Sequence, residues 1–133
     1  FVGEANFLQG VVAEIDGLGA VVEVGGRRIE TGDKSCKVGD EVVACIRPEF
    51  VSLERTAEGS ALKGEILRES FQGSIVRYTI SISGDQAISA DYAVGLEPLG
   101  LGLGDIVGVD IRRDNVIVYP ASKGGLAREI ALE

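Results

Sequence analysis

VGDEVVACIRPEFVSLE (Val38–Glu54) and LGDIVGVDIRRDNVIVY (Leu103–Tyr119) align without a gap, and that alignment decides the fold. Six of the 17 positions are identical: Gly39/Gly104, Asp40/Asp105, Val42/Val107, Ile46/Ile111, Arg47/Arg112 and Val51/Val116. Most other pairs set an apolar residue opposite an apolar one. Each copy reads as a Gly-Asp turn, an alternating strand, a short polar bend and a second strand. One small all-β unit has been built twice, and two units are too few for a solenoid. The expected architecture is all-β, a compact pair of small lobes, followed by a short C-terminal helix.

Outward from the repeat, Asn6–Ile15 reads as a first strand ending at an Asp16-Gly17 turn signal. Ala20–Val24 and Arg27–Glu30 flank a Gly25-Gly26 hairpin. Pro48 lacks an amide proton and marks a strand end or bend. LKGEILRESF echoes LQGVVAEI, so Gly64 corresponds to Gly10. In SIVRYTISIS (Ser74–Ser83) alternation puts Val76, Tyr78, Ile80 and Ile82 on an apolar face. The resulting division is a first lobe at 1–54, a linker at 55–60 (RTAEGS), a second lobe at 61–122 and a tail at 123–133. Within that tail, Lys123–Leu132 has helical patterning, with Leu126, Ala127 and Ile130 on one side.

Composition narrows function by exclusion. The 133 residues are 45% hydrophobic, with 19 glycines and 5% aromatics, which suits β-branched strands punctuated by tight turns. Net charge is −8, from 21 acids against 13 bases. Nucleic-acid binding wants a basic groove and stacking aromatics, so it is not expected. No apolar run approaches the roughly 18 residues of a membrane helix, so direct membrane insertion is not expected either. The chain has no methionine, and it reads as a piece of a longer protein, with Leu132-Glu133 either a cloning remnant or a native end.

Catalytic chemistry is thin. With no histidine, the usual proton shuttle and triad base are missing. Cys36 and Cys45 read as free thiols, in no recognisable metal spacing, so no metal site is expected. Asp40 and Asp105 follow glycines, where their carboxylates would accept turn amides. Arg47 and Arg112 recur at equivalent places, on a solvated face, in an internal salt bridge or at a partner interface. GLEPLGLGLGD (Gly95–Asp105) lacks the Gly-Lys-Ser/Thr ending of a phosphate loop and opens a strand, so it reads as structural punctuation. No catalytic or cofactor-binding residue is assigned.

Three stretches together resemble a known family. FVGEANFLQG (Phe1–Gly10) is similar to the junction after the nucleotide-binding domain of ABC-class importer ATPases. CIRPEFVSLE (Cys45–Glu54) resembles the family's Arg-Pro-Glu segment, here Arg47, Pro48 and Glu49. LKGEILRESFQGSIVRYTI (Leu62–Ile80) resembles its pattern of Gly64, Phe71, Gly73, Tyr78 and Ile80, with Gly10 equivalent to Gly64. This is the transport-associated OB, or TOBE, domain.

The resemblance implies a non-catalytic, cytoplasmic regulatory domain of two OB-like small β-barrel lobes that homodimerises. Arg47 and Arg112, from their recurrence in the repeat, are candidate interface residues. It implies an upstream ATPase domain holding ATP and Mg, and membrane permease subunits as partners at the inner face of the cell membrane. Polyamine or ferric iron ranks ahead of sugar as the imported solute. A second resemblance, to molybdate-binding Mop domains, rests on Ala5, Asn6, Leu8 and Gly10. It implies an oxyanion sensor, with Lys34, Ser35 and Lys37 as donors. A third alternative is a free-standing interaction module.

Overall fold

Alternation and glycine turns fold the chain into hairpins, and the two copies yield the same succession of elements. The computed structural model describes residues 4–59 and 62–121. The first copy supplies β1 (Asn6–Asp16), β2 (Gly19–Val24), β3 (Arg27–Thr31), β4 (Glu41–Ile46) and β5 (Val51–Glu54). The second supplies β6 (Leu62–Gln72), β7 (Ile75–Ser83), β8 (Gln86–Ala93), β9 (Ile106–Ile111) and β10 (Val116–Pro120). Short 3-10 turns at Pro48–Phe50 and Arg113–Asn115 lead into β5 and β10. The tail expected to be helical, 123–133, lies outside the described residues.

The repeated Gly-Asp signals build matched turns. Gly39 and Gly104 sit at φ 92° and 84°, a region costly for any residue with a Cβ. Asp40 accepts the Lys37 amide at 2.8 Å, and Asp105 accepts the Gly102 amide at 2.9 Å. Each turn also clamps the facing first strand. Gly39 N donates to Val12 O, and Gly104 N donates to Ile66 O, both at 2.8 Å. The register of β1 shifts just beyond Val12 and that of β6 just beyond Ile66. A bulge there bends the strand, so each long first strand can serve two sides of a barrel.

The strands form two antiparallel five-stranded sheets, ordered β10-β4-β1-β2-β3 and β5-β9-β6-β7-β8. Lobes drawn at 1–54 and 61–122 do not coincide with these sheets, because each copy gives its last strand to the other. Val51 pairs with Ile111 in the second sheet, and Val116 pairs with Ile46 in the first. The cause is local: Arg47 and Arg112 stay extended, and the 3-10 turn after each redirects the chain to the neighbouring sheet. The 55–59 stretch therefore connects two strands of one sheet, β5 and β6, and is not a hinge between independent bodies.

Side-chain latches hold the exchanged strands. Fully buried Thr31 donates to Val116 O at 2.6 Å, tying β3 to β10. Tyr92 accepts the Leu53 amide at 2.7 Å, tying β8 to β5. Asn6 bridges the sheets, donating to Ser89 O at 2.9 Å and accepting Ser89 N at 2.8 Å. A single apolar cluster runs through both barrels and includes the β7 face of Val76, Tyr78, Ile80 and Ile82.

Tyr78 packs edge-on against Tyr92, with ring centroids 6.2 Å apart. Burial, then a hydrogen bond to the Glu69 carboxylate and nearby negative charge, push its phenol from 10.0 up to about 12. A pKa raised by folding gives stability that is complete below pH 10 and is lost as pH rises through 12. The unfolding free energy should therefore fall as pH rises from 10 through 12, by roughly 3 kcal/mol in total. Tyr78→Phe should flatten that fall. An unchanged slope in the variant would mean another group carries the alkaline transition.

Candidate interaction surfaces

The motif residues are spread through the fold and do not converge on one cluster. Gly10 and Gly64 lie at equivalent points of β1 and β6, pressed against β2 and β7. Arg47, Pro48 and Glu49 form the first crossover, where Arg47 and Glu49 approach to 3.5 Å. Arg112 occupies the second crossover, 3.9 Å from Asp114. Tyr78 is core, Gly73 turns at φ 71°, and Phe71 is 67% exposed. Five of these positions shape backbone or core (Gly10, Pro48, Gly64, Gly73, Tyr78), and Phe71 alone presents a large apolar surface.

The loop offered as an oxyanion cradle is already occupied by the chain's own carboxylates. Asp33 accepts the Ser35 amide at 2.9 Å and the Ser35 hydroxyl at 2.6 Å, while Asp40 takes the Lys37 amide. Burial alone would raise the Asp33 pKa, but bonds from Ser35 and the Val118 amide outweigh it and hold the group lowered. An anion entering here would meet two carboxylates. Both cysteines are free and buried. Burial pushes both thiols up, helped by Asp33 at Cys36 and opposed by Arg47 at Cys45. Among the described residues no cluster of acids or cysteines has metal-holding geometry, and no helix is long and apolar enough to cross a membrane.

Laying one copy on the other exposes two differences. The first is extra length: β7 has nine residues against six in β2, and β8 has eight against five in β3. That added end carries Phe71, Val94 and Leu96, all at least half exposed. Phe71 pairs with Val76, and Val94 N donates to Ser74 O at 3.0 Å, so the hairpin end and the start of the loop share one overhang. This end of the second hairpin thus gathers exposed apolar side chains that the first copy lacks.

The second difference lies on the outer faces of the sheets. In the first sheet β4 is buried on both sides, with Val43 and Cys45 facing away from the core. Their neighbours on that side are Phe7, Val11, Phe50, Ile117 and Tyr119. The equivalent positions in the second sheet include Asp110 for Cys45, Ser52 for Ile117, Glu54 for Tyr119 and Glu65 for Val11, all exposed. One outer face is apolar and the other is wet. Neither difference was among the sequence expectations, although aligning the copies over their full length would have shown both.

The described residues thus form a pair of OB-like barrels interlocked by strand exchange. The chain belongs to the TOBE domain family, whose model matches residues 44–118. It is 30% identical, over 124 residues, to the spermidine/putrescine import ATP-binding protein PotA of Desulfitobacterium hafniense (strain Y51). That match covers 93% of this chain and 32% of the relative, so the chain spans about a third of the relative's length. The fold is also similar to the crystal structure of the cytoplasmic molybdate-binding protein ModG with molybdate bound. The TM-score is 0.69 at 23% identity, covering 85% of this chain and 94% of ModG.

Proposed function

We infer that this chain is the C-terminal regulatory domain of an ABC importer's ATP-binding subunit, and that it holds two such subunits together as a homodimer. The match to a polyamine importer's ATP-binding protein along nearly the whole chain carries this reading. The physical arrangement agrees with it: a double barrel interlocked by strand exchange, two arginine crossovers and an apolar overhang suit docking. On this reading ATP and Mg bind an upstream domain, and the assembly works at the cytoplasmic face beneath membrane permeases. Polyamine is the favoured solute, ahead of ferric iron and sugar.

Light scattering with size separation tests the dimer across a concentration series. The expected species is near twice 13.9 kDa at high concentration. Phe71→Asp with Leu96→Asp should shift it to a folded monomer, because both side chains are more than half exposed. A strict monomer at every concentration would remove the dimerisation role from this domain.

A further inference from the structure

The two copies treat one pair of strand edges differently. Ser89 and Glu30 are the fourth residues of β8 and β3, at equivalent places after the two hairpins. Ser89 turns its amide and carbonyl away from β7, and the Asn6 side chain takes both, at 2.8 and 2.9 Å. That one amide ties β8 to the start of β1. In β3 the Gly32 amide reaches outward to Arg113 O at 2.9 Å, so alternation turns the Glu30 amide and carbonyl to the same open side. Among the described residues no side chain takes them as Asn6 takes those of Ser89. A groove of about 340 Å³ lies there instead, between β3 and the stretch that enters β6. Its buried lining is apolar (Ile29, Leu62, Val109), and its exposed lining includes Glu54, Glu58 and Asp110.

We propose that this groove receives an extended, basic peptide segment of a partner protein, which adds along the open side of β3. A peptide unit carries the donor and the acceptor that the Asn6 amide supplies to Ser89, so a partner's backbone can exchange both bonds with Glu30. Strand addition of this kind takes its affinity from the backbone and its specificity from alternate side chains. One set of side chains would meet Ile29, Leu62 and Val109, and the other would meet the carboxylates. Size fits a short segment, since ligand clefts span about 300–1,000 Å³. Charge selects the partner. Arg113 engages Glu30 and Glu14 engages Arg28, which leaves Glu54, Glu58 and Asp110 without an ion-pair partner among the described residues. Lysine or arginine on the incoming segment would supply it. A second copy, with a net charge of −8, is disfavoured on the same ground. The assignment is independent of the importer reading.

The probe is acetyl-Val-Lys-Val-Lys-Val-amide, titrated at low salt and followed by nuclear magnetic resonance of the backbone amides. Saturable shifts should appear at Arg28, Glu30 and Asp110. Affinity should fall about tenfold or more in Glu58→Gln with Asp110→Asn. Both side chains are exposed, so that variant keeps its fold. The same peptide methylated on the backbone nitrogens that face β3 keeps its charge but cannot add to a strand, and it should not bind. Equal binding by the methylated peptide, or by a linear polyamine, would overturn the proposal by showing that charge alone is recognised. Absence of saturable shifts with the unmodified peptide would overturn it too. Shifts at these amides that grow with protein concentration alone would also overturn it and give the groove to a second copy.

Discussion

Valine at Gly64 should leave the chain unfolded at 37 °C, and alanine at Gly64 or Gly10 should cost about 3 kcal/mol or more. A Cβ on Gly10 would stand 2.8 Å from Val22 Cγ1 and 2.9 Å from Val24 Cγ2, and closer still to the Glu23 carbonyl oxygen. On Gly64 it would stand 2.6 Å from Ser81 O and closer to Ile80 Cγ2. Carbonyl oxygens of a sheet cannot retreat without breaking their ladder, so the strain falls on the backbone. Neither glycine has a positive φ, and the requirement is therefore one of space and not of conformation. The entropic gain of removing a glycine, about 0.4–1 kcal/mol, is too small to offset it. Alanine at Gly17 or Gly84, where nothing lies within 4 Å, should change stability by less than about 0.5 kcal/mol. Thermal unfolding followed by circular dichroism separates the cases. A Gly64→Ala melt equal to that of Gly84→Ala would show that the sheets can part freely at this point.

That pair of glycines also shows what was legible in the chain. Gly10 and Gly64 stand out as equivalent once the copies are aligned, and the hairpins follow from local signals. Gly25 and Gly26 take φ 55° and 83° between β2 and β3, as a Gly-Gly turn requires. The β7 faces follow from period two. The strand exchange is invisible at that level, because VSLE and VIVY each alternate well enough to suit either sheet. Alternation fixes which side of a strand is buried but not which edge it pairs with. Asn6 shows the same limit. A lone amide before an apolar run gives no hint of its bridge to Ser89, since that partner lies 83 residues away. Phe71 fails in the opposite sense: an aromatic in a strand reads as core, yet the extra length of its hairpin carries it beyond the barrel.

Separated halves of the chain, 1–59 and 62–133, should each fail to melt cooperatively, and an equimolar mixture should recover a single transition as a one-to-one complex. The exchange dictates this. The first sheet needs Val116 and Val118 from the second half, 3% and 5% exposed in place. The second sheet needs Val51 and Leu53 from the first half, at 1% and 5%. Burying each such side chain stabilises by roughly 1.5–3 kcal/mol, so a half without its visiting strand loses several kcal/mol and leaves an open sheet edge. That is comparable to the whole stability of a small domain, about 5–15 kcal/mol. The latches supply specificity for the rejoined complex. Tyr92→Phe removes the acceptor for the Leu53 amide and leaves that group buried without a partner, which costs about 1–3 kcal/mol. The affinity between halves should therefore drop roughly 5- to 150-fold, read by titration calorimetry. A first half that melts cooperatively as a monomer would require β5 to return to β4, and strand exchange would then not be what holds the two barrels together.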